Sequence, residues 1–217
     1  SKKGIAVKNV AGYSTASVAQ TTIMLALNLI GHAAYYDDFV KKGGWVSAPT
    51  FTHIERSFWE IKGKRWGIIG LGTIGKEVAK IATAFGAEVV YYSTSGANND
   101  ALYKRVSLEE MLQTCSIITI HAPLNAQTKG LIDEKALHKM KEGTVLVNVG
   151  RGGIIDEVAL AKIIDEKELY VGLDVLEAEP MQKGHPLLRV KHHERLIITP
   201  HVAWASVEAR TALMRLV

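Results

Sequence analysis

The run Lys64-Arg65-Trp66-Gly67-Ile68-Ile69 passes directly into Gly70-Leu71-Gly72-Thr73-Ile74-Gly75. Apolar residues then recur at helical spacing, at Ile74, Val78, Ile81, Ala82 and Phe85. Three glycines so spaced between a strand and a helix leave little freedom in the fold. The first permits a tight turn, the second lets backbone approach a bulky anion, and the third lets the helix, expected to open near Lys76, pack closely on the strand. Phosphates then sit at the helix N-terminus, where unpaired N–H groups and the helix dipole favour negative charge. In this context the pattern is a dinucleotide fingerprint.

The rest of the 217-residue chain agrees. Short runs rich in Val and Ile recur at Trp66–Ile69, Val89–Tyr92, Ile117–Ile120, Val145–Val149, Tyr170–Leu173 and Leu196–Ile198. Amphipathic stretches lie between them, one of which, with Val158, Leu160, Ile163 and Ile164, follows a cap at Asp156. Six strands alternating with helices predict an α/β fold, a doubly wound parallel sheet covered on both faces. Gly4 to Val10 reads as a further strand reaching a turn. A long apolar helix from about Thr15 to Ile30 falls outside the alternation, and Tyr35 to Glu60 reads as an anchored loop or short-helix connection.

Composition excludes several classes. The longest apolar run, Ile23 to Ile30, is far short of the roughly 18 residues a membrane span needs. The formal charge of +4 is scattered, and its densest cluster, Lys191 to Arg195, reads as a solvated loop and not a nucleic-acid footprint. The single cysteine, Cys115, reads as a buried residue of a reducing, cytoplasmic compartment. No metal-ligand pattern is expected.

Three strand ends carry chemistry. Arg151 follows Val147-Asn148-Val149-Gly150, where a guanidinium suits a carboxylate or is simply a surface charge in a glycine turn. Asp174 ends the next strand, with Glu177 and Glu179 beyond it, and His201 closes Ile198-Thr199-Pro200. Arg, an acid and His at the crevice of one sheet suit reduction of a 2-oxo acid, which needs a carboxylate clamp, a proton donor and a group that keeps the donor charged. The strand end expected to hold the ribose-binding acid is Tyr91-Tyr92-Ser93-Thr94-Ser95. It offers hydroxyls, no Asp or Glu, and no Arg to clamp a 2′-phosphate, so the choice between NAD and NADP stays open.

These motifs, with Asn9 to Ser14, Val18-Ala19-Gln20, His121-Ala122-Pro123-Leu124 and Asn148 to Asp156, closely resemble the D-isomer-specific 2-hydroxyacid dehydrogenases over nearly the whole chain. The resemblance implies that Arg151 binds the substrate carboxylate and polarises its carbonyl, that His201 is the general acid, and that Glu179 is its partner. It implies cofactor contacts from Gly70, Gly72, Thr73, Ile74, Gly75, Ser93, Pro123, Val149, Arg151, Asp174 and His201, to which Thr94, His121 and Gly150 are added. The other histidines, His32, His53, His138, His185, His192 and His193, are taken as surface or packing residues.

Trp204 and Phe58 to Lys64 resemble the glycerate dehydrogenase, or hydroxypyruvate reductase, branch, so Trp204 is assigned to the substrate and hydroxypyruvate and glyoxylate are favoured over pyruvate. Glu179 stands where the formate-oxidising branch has Gln, against that branch. The resemblance also implies a homodimer built around the Thr15 to Ile30 helix. Residues 1–14 are expected to be the tail of a mostly absent substrate domain, 15–203 a Rossmann domain that binds NAD or NADP, and 204–217 a helix returning to the substrate domain. The rival readings are a dinucleotide-sensing corepressor and a phosphite dehydrogenase on the same scaffold.

Overall fold

The computed structural model describes residues 10–216, so the expected strand at Gly4 to Val10 lies, but for its last residue, outside the described residues. Seven strands form one sheet: β1 (Arg65–Ile69), β2 (Glu88–Tyr92), β3 (Lys104–Arg105), β4 (Ile117–Ile120), β5 (Thr144–Asn148), β6 (Leu169–Leu173) and β7 (Leu196–Ile198). Their order is β3-β2-β1-β4-β5-β6-β7, and every neighbouring pair is parallel. The order reverses between β1 and β4, so the loops after these two strands diverge and leave a crevice at the carboxyl edge.

Every strand but β3 alternates its side chains between two cores. Trp66, Ile68, Val89, Tyr91, Ile117, Val145 and Val147 pack under α1 (Thr15–Gly31) and α3 (Thr73–Ala84). Ile69, Val90, Ile118, Ile120 and Leu146 face the other way, against α4 (Leu108–Thr114), α5 (Glu134–Lys139) and α6 (Glu157–Glu166). With both faces covered, the strands need no polar side, which explains their unbroken apolar runs. Three polar strand residues, Thr119, Thr144 and Asn148, are buried among them, and the Thr119 hydroxyl accepts from Trp66 Nε1 at 3.2 Å.

Two details differ from expectation. The sheet gains β3 at its edge, two exposed residues with no apolar signature. Helix α3 opens at Thr73, not near Lys76, because Gly72 in extended backbone is already its N-cap. Gly75 therefore lies in the first helical turn, where a Cβ would fall 2.4 Å from the Gly70 carbonyl oxygen.

Beyond α1, the connection to β1 contains α2 (Ala33–Lys41) and irregular chain held by side chains, with His53 stacked on Phe39 at 3.7 Å between ring centres. Cys115 ends α4 just before β4, and burial pushes its thiol up to about 11. The last element among the described residues is α7 (Val207–Leu216). No helix among the described residues is long and apolar enough to cross a membrane.

The expected cap at Asp156 forms: its carboxylate accepts from Val158 N and Ala159 N, both at 3.0 Å. Asp156→Ala should lower the urea-unfolding free energy by about 1 kcal/mol and leave dinucleotide affinity unchanged.

Candidate active site and dinucleotide cleft

The residue that follows each of six strands stands at the same edge of the sheet: Gly70, Ser93, His121, Val149, Asp174 and Thr199. Gly70, at φ +90°, turns the chain into α3. Among the described residues no side chain caps this helix, and none lies within 4 Å of where a Cβ on Gly72 would project. Its first N–H groups thus have no side-chain cap, which leaves them for an anion such as a phosphate.

A cleft of about 730 Å³ opens along this edge and reaches Ile74 of the glycine loop, while Gly70, Gly72, Thr73 and Gly75 are outside its lining. It brings together nine of the residues picked out in the sequence: Ile74, His121 and Pro123, then Val149, Gly150 and Arg151, and finally Asp174, His201 and Trp204. Trp204 meets Tyr13 edge-on at 6.4 Å, and both rings line the cleft. Ser93 and Thr94 are not in the cleft lining. Ser93 ends β2 as expected but is buried, and its Oγ accepts from Asn98 N at 3.3 Å, so the hydroxyl is turned into its own loop. The same loop gains a cation that the local sequence lacks: Arg105, from β3, donates to Gly96 O at 2.8 Å.

His121 follows β4, and neither of its ring nitrogens is exposed or has a hydrogen-bond partner among the described residues. Burial pushes its pKa down to about 3, so the ring is neutral. Two orphaned polar atoms in a cleft wall are costly unless a ligand meets them.

Asp174 is buried, and both carboxylate oxygens are engaged by the turn after β7. Oδ1 accepts from Thr199 Oγ1 at 2.5 Å and Val202 N at 2.9 Å, and Oδ2 accepts from Ala203 N at 2.8 Å. This brace holds His201 in left-handed backbone at φ +53°, a conformation uncommon for a residue with a side chain. The side chain assigned to the cofactor thus also sets the turn that presents His201, a role its residue type did not reveal.

His201 Nδ1 lies 2.7 Å from Glu179 Oε2. Glu179 Oε1 accepts from Leu176 N at 2.9 Å. Partial burial alone would raise the Glu179 pKa, but the hydrogen bonds from His201 and Leu176 and the charges of His201 and Arg151 outweigh it and hold the carboxyl below its usual range. Glu179 is therefore an anion at neutral pH and the partner of His201. Arg151 is exposed, with its backbone oxygen accepting from Asn148 Nδ2 at 2.9 Å and its guanidinium donating to Gly150 O at 2.7 Å. His185, expected as a surface or packing residue, is largely buried and paired with Glu157 at 2.9 Å.

A sequence profile described as "D-isomer specific 2-hydroxyacid dehydrogenase, NAD binding domain" matches residues 23–203. The chain belongs to this family. It is 37% identical to a hydroxypyruvate reductase of Blautia hydrogenotrophica over 98% of its own length and 66% of that protein's. Among solved structures, a D-lactate dehydrogenase of Aquifex aeolicus complexed with NAD and lactic acid superposes with a TM-score of 0.87 at 28% identity, covering 99% of this chain and 68% of that one. An acyclic imino acid reductase in complex with NADPH and D-Arg gives 0.85 at 32% identity, covering 99% and 66%. The chain thus spans about two thirds of the length of these proteins. Its residues fit a dinucleotide: the uncapped α3 terminus suits the phosphates, and the orphaned His121 nitrogens suit a polar ligand group in the cleft.

Because Gly72 has open space where a Cβ would go, Gly72→Ala should fold with unchanged unfolding free energy yet weaken NADH and NADPH binding at least about tenfold, roughly 1.4 kcal/mol by calorimetry. A second prediction concerns acid. The folded chain keeps His121 neutral down to about 3, whereas an unfolded imidazole takes up its proton near about 6.5, so unfolding binds a proton between those values. Stability is therefore lost as pH falls through that window. His121→Leu should flatten that loss in urea titrations, and an unchanged slope would mean that water reaches the ring.

Proposed function

We propose that the protein of which this chain is the NAD binding domain is an NAD(P)-dependent oxidoreductase that interconverts a short 2-oxo acid and its D-2-hydroxy acid, with hydroxypyruvate and glyoxylate as preferred acceptors. The observation that carries this reading is the 2.7 Å contact between Glu179 and His201, with His201 and Arg151 both lining the cleft beside the glycine loop. Residues 1–14 are read as the tail of a substrate domain, 15–203 as the Rossmann domain and 204–217 as a helix returning toward the substrate domain.

Arg151 offers two parallel N–H donors that match a carboxylate, and its charge polarises the adjacent carbonyl. His201 turns Nδ1 to Glu179 and so leaves Nε2 for the carbonyl oxygen. With Nδ1 held at the ionised Glu179, Nε2 donates the proton to the carbonyl oxygen as C2 of the substrate is reduced. In the opposite direction the neutral ring accepts that proton from the hydroxyl. Gly70, Gly72, Thr73, Ile74 and Gly75, with His121, Pro123, Val149 and Gly150 along the cleft and Ser93 and Thr94 at the adenosine end, would hold NADH or NADPH, which would supply the hydride. Trp204 is read as a wall of the substrate pocket. The buried Ser93 hydroxyl and the absence of a carboxylate at that strand end support acceptance of either dinucleotide.

A cytoplasmic homodimer belongs to the same reading. Trp45, Phe51 and Phe58, exposed on the connection after α2, and Met24 and Leu27 on α1 support an interface there.

In the full-length protein, His201→Ala and Arg151→Ala should each lower kcat/KM for hydroxypyruvate by about 10²- to 10⁴-fold, and Glu179→Gln by about tenfold or more, with dinucleotide affinity changed less than about threefold. Consumption of NADH and NADPH with hydroxypyruvate, glyoxylate and pyruvate checks this. Tight dinucleotide binding without turnover of any acceptor would favour the sensing protein, and oxidation of phosphite would favour the phosphite dehydrogenase.

A further inference from the structure

The chain between Asp174 and Pro186 contains no helix or strand, yet it must hold Glu179 against His201. Its support comes from beneath. Glu157, the first residue of α6, is almost fully buried, and its two carboxylate oxygens meet two separate points of this strap. Oε1 accepts from Glu177 N at 2.6 Å, two residues before Glu179. Oε2 lies 2.9 Å from His185 Nε2, near the far end. Leu187 N donates to His185 Nδ1 at 3.3 Å. With Nδ1 accepting, the ring proton sits on Nε2 and points at Glu157, a tautomer assigned from this bonding pattern. From the side, Gly152 lies so close that a Cβ would fall 1.9 Å from the carbonyl of Leu176, so the strap also rests on the turn that carries Arg151.

We propose that Glu157 and His185 are a buried positioning pair that sets the place of Glu179, and through it the orientation of His201. Neither touches substrate or cofactor, and the proposal rests on the reaction assigned above. Burying a carboxylate and an imidazole is expensive unless each finds partners, and apolar side chains hold a loop down as well at lower cost. What the polar pair adds is direction: a carboxylate that receives the Glu177 N–H fixes the strap's backbone along one line. A catalytic contact needs placement within about 0.5 Å to be productive.

The test uses the full-length enzyme. Glu157→Ala and His185→Ala should each lower kcat for hydroxypyruvate at least about tenfold, with Kd for the dinucleotide within about threefold of wild type. His185→Gln, whose amide reaches the Nε2 position, should recover most of the loss. In a Glu179→Gln background the same substitutions should cost less than about threefold further, because there is no carboxylate left to place. Amide exchange at Leu176 and Glu177 should quicken at least about tenfold in both alanine variants. Equal losses with and without Glu179 would make the pair a mere tether and overturn the proposal, as would wild-type kcat in a folded variant or unchanged exchange at the strap. If Glu157→Ala fails to fold, His185→Ala decides on the same readouts. A wild type that turns over no 2-oxo acid refutes the reaction instead, and amide exchange still decides whether the pair holds the strap.

Discussion

Seven strands that all point the same way must deliver every following turn to one edge of the sheet. Each strand must also be re-entered from the opposite edge through a crossover, which buries both faces and leaves no polar surface on the sheet for recognition. Recognition is therefore confined to residues that stand just past a strand end. Gly70, Ser93, His121, Val149, Asp174 and Thr199 are those residues, and the glycine loop, the neutral histidine and the turn that carries His201 meet because of strand direction alone.

The turns at that edge have few backbone partners, and buried N–H groups must be satisfied. Here carboxylates satisfy them. Asp174 serves three donors of the 199–203 turn, Glu179 serves Leu176 N, and Glu157 serves Glu177 N. Each acid thereby shapes a stretch without regular structure, and the two that border His201 also shape its surroundings. Asp174 holds the backbone that carries the ring, and Glu179 holds the ring itself. Loop geometry and site electrostatics draw on the same few charges.

Features whose cause is local were legible in the sequence. The six apolar strands, the uncapped glycine loop and the Asp156 cap each depend on residues a few positions apart, and all six strands and the cap stand where periodicity puts them. Lys104–Arg105 escaped because two exposed residues at a sheet edge carry no burial signal. The α3 start was misplaced because a glycine gives no side-chain cap to read. Arg151 and His201 stood out by residue type at strand ends, whereas Glu179 was singled out from Asp174 and Glu177 by the family resemblance, because its 2.7 Å contact with His201 spans 22 residues of chain. The Asp174 brace and the Glu157–His185 pair were not, because their partners lie 25 to 29 residues apart and meet only once the sheet is assembled.

One hydroxyl near the start of α1 has a mechanical meaning. Ser17 Oγ donates to Ala203 O at 2.6 Å and accepts from Ser206 N at 3.3 Å, across 186 and 189 residues of chain. Tension applied between the two ends of the domain meets this knot before it reaches any strand.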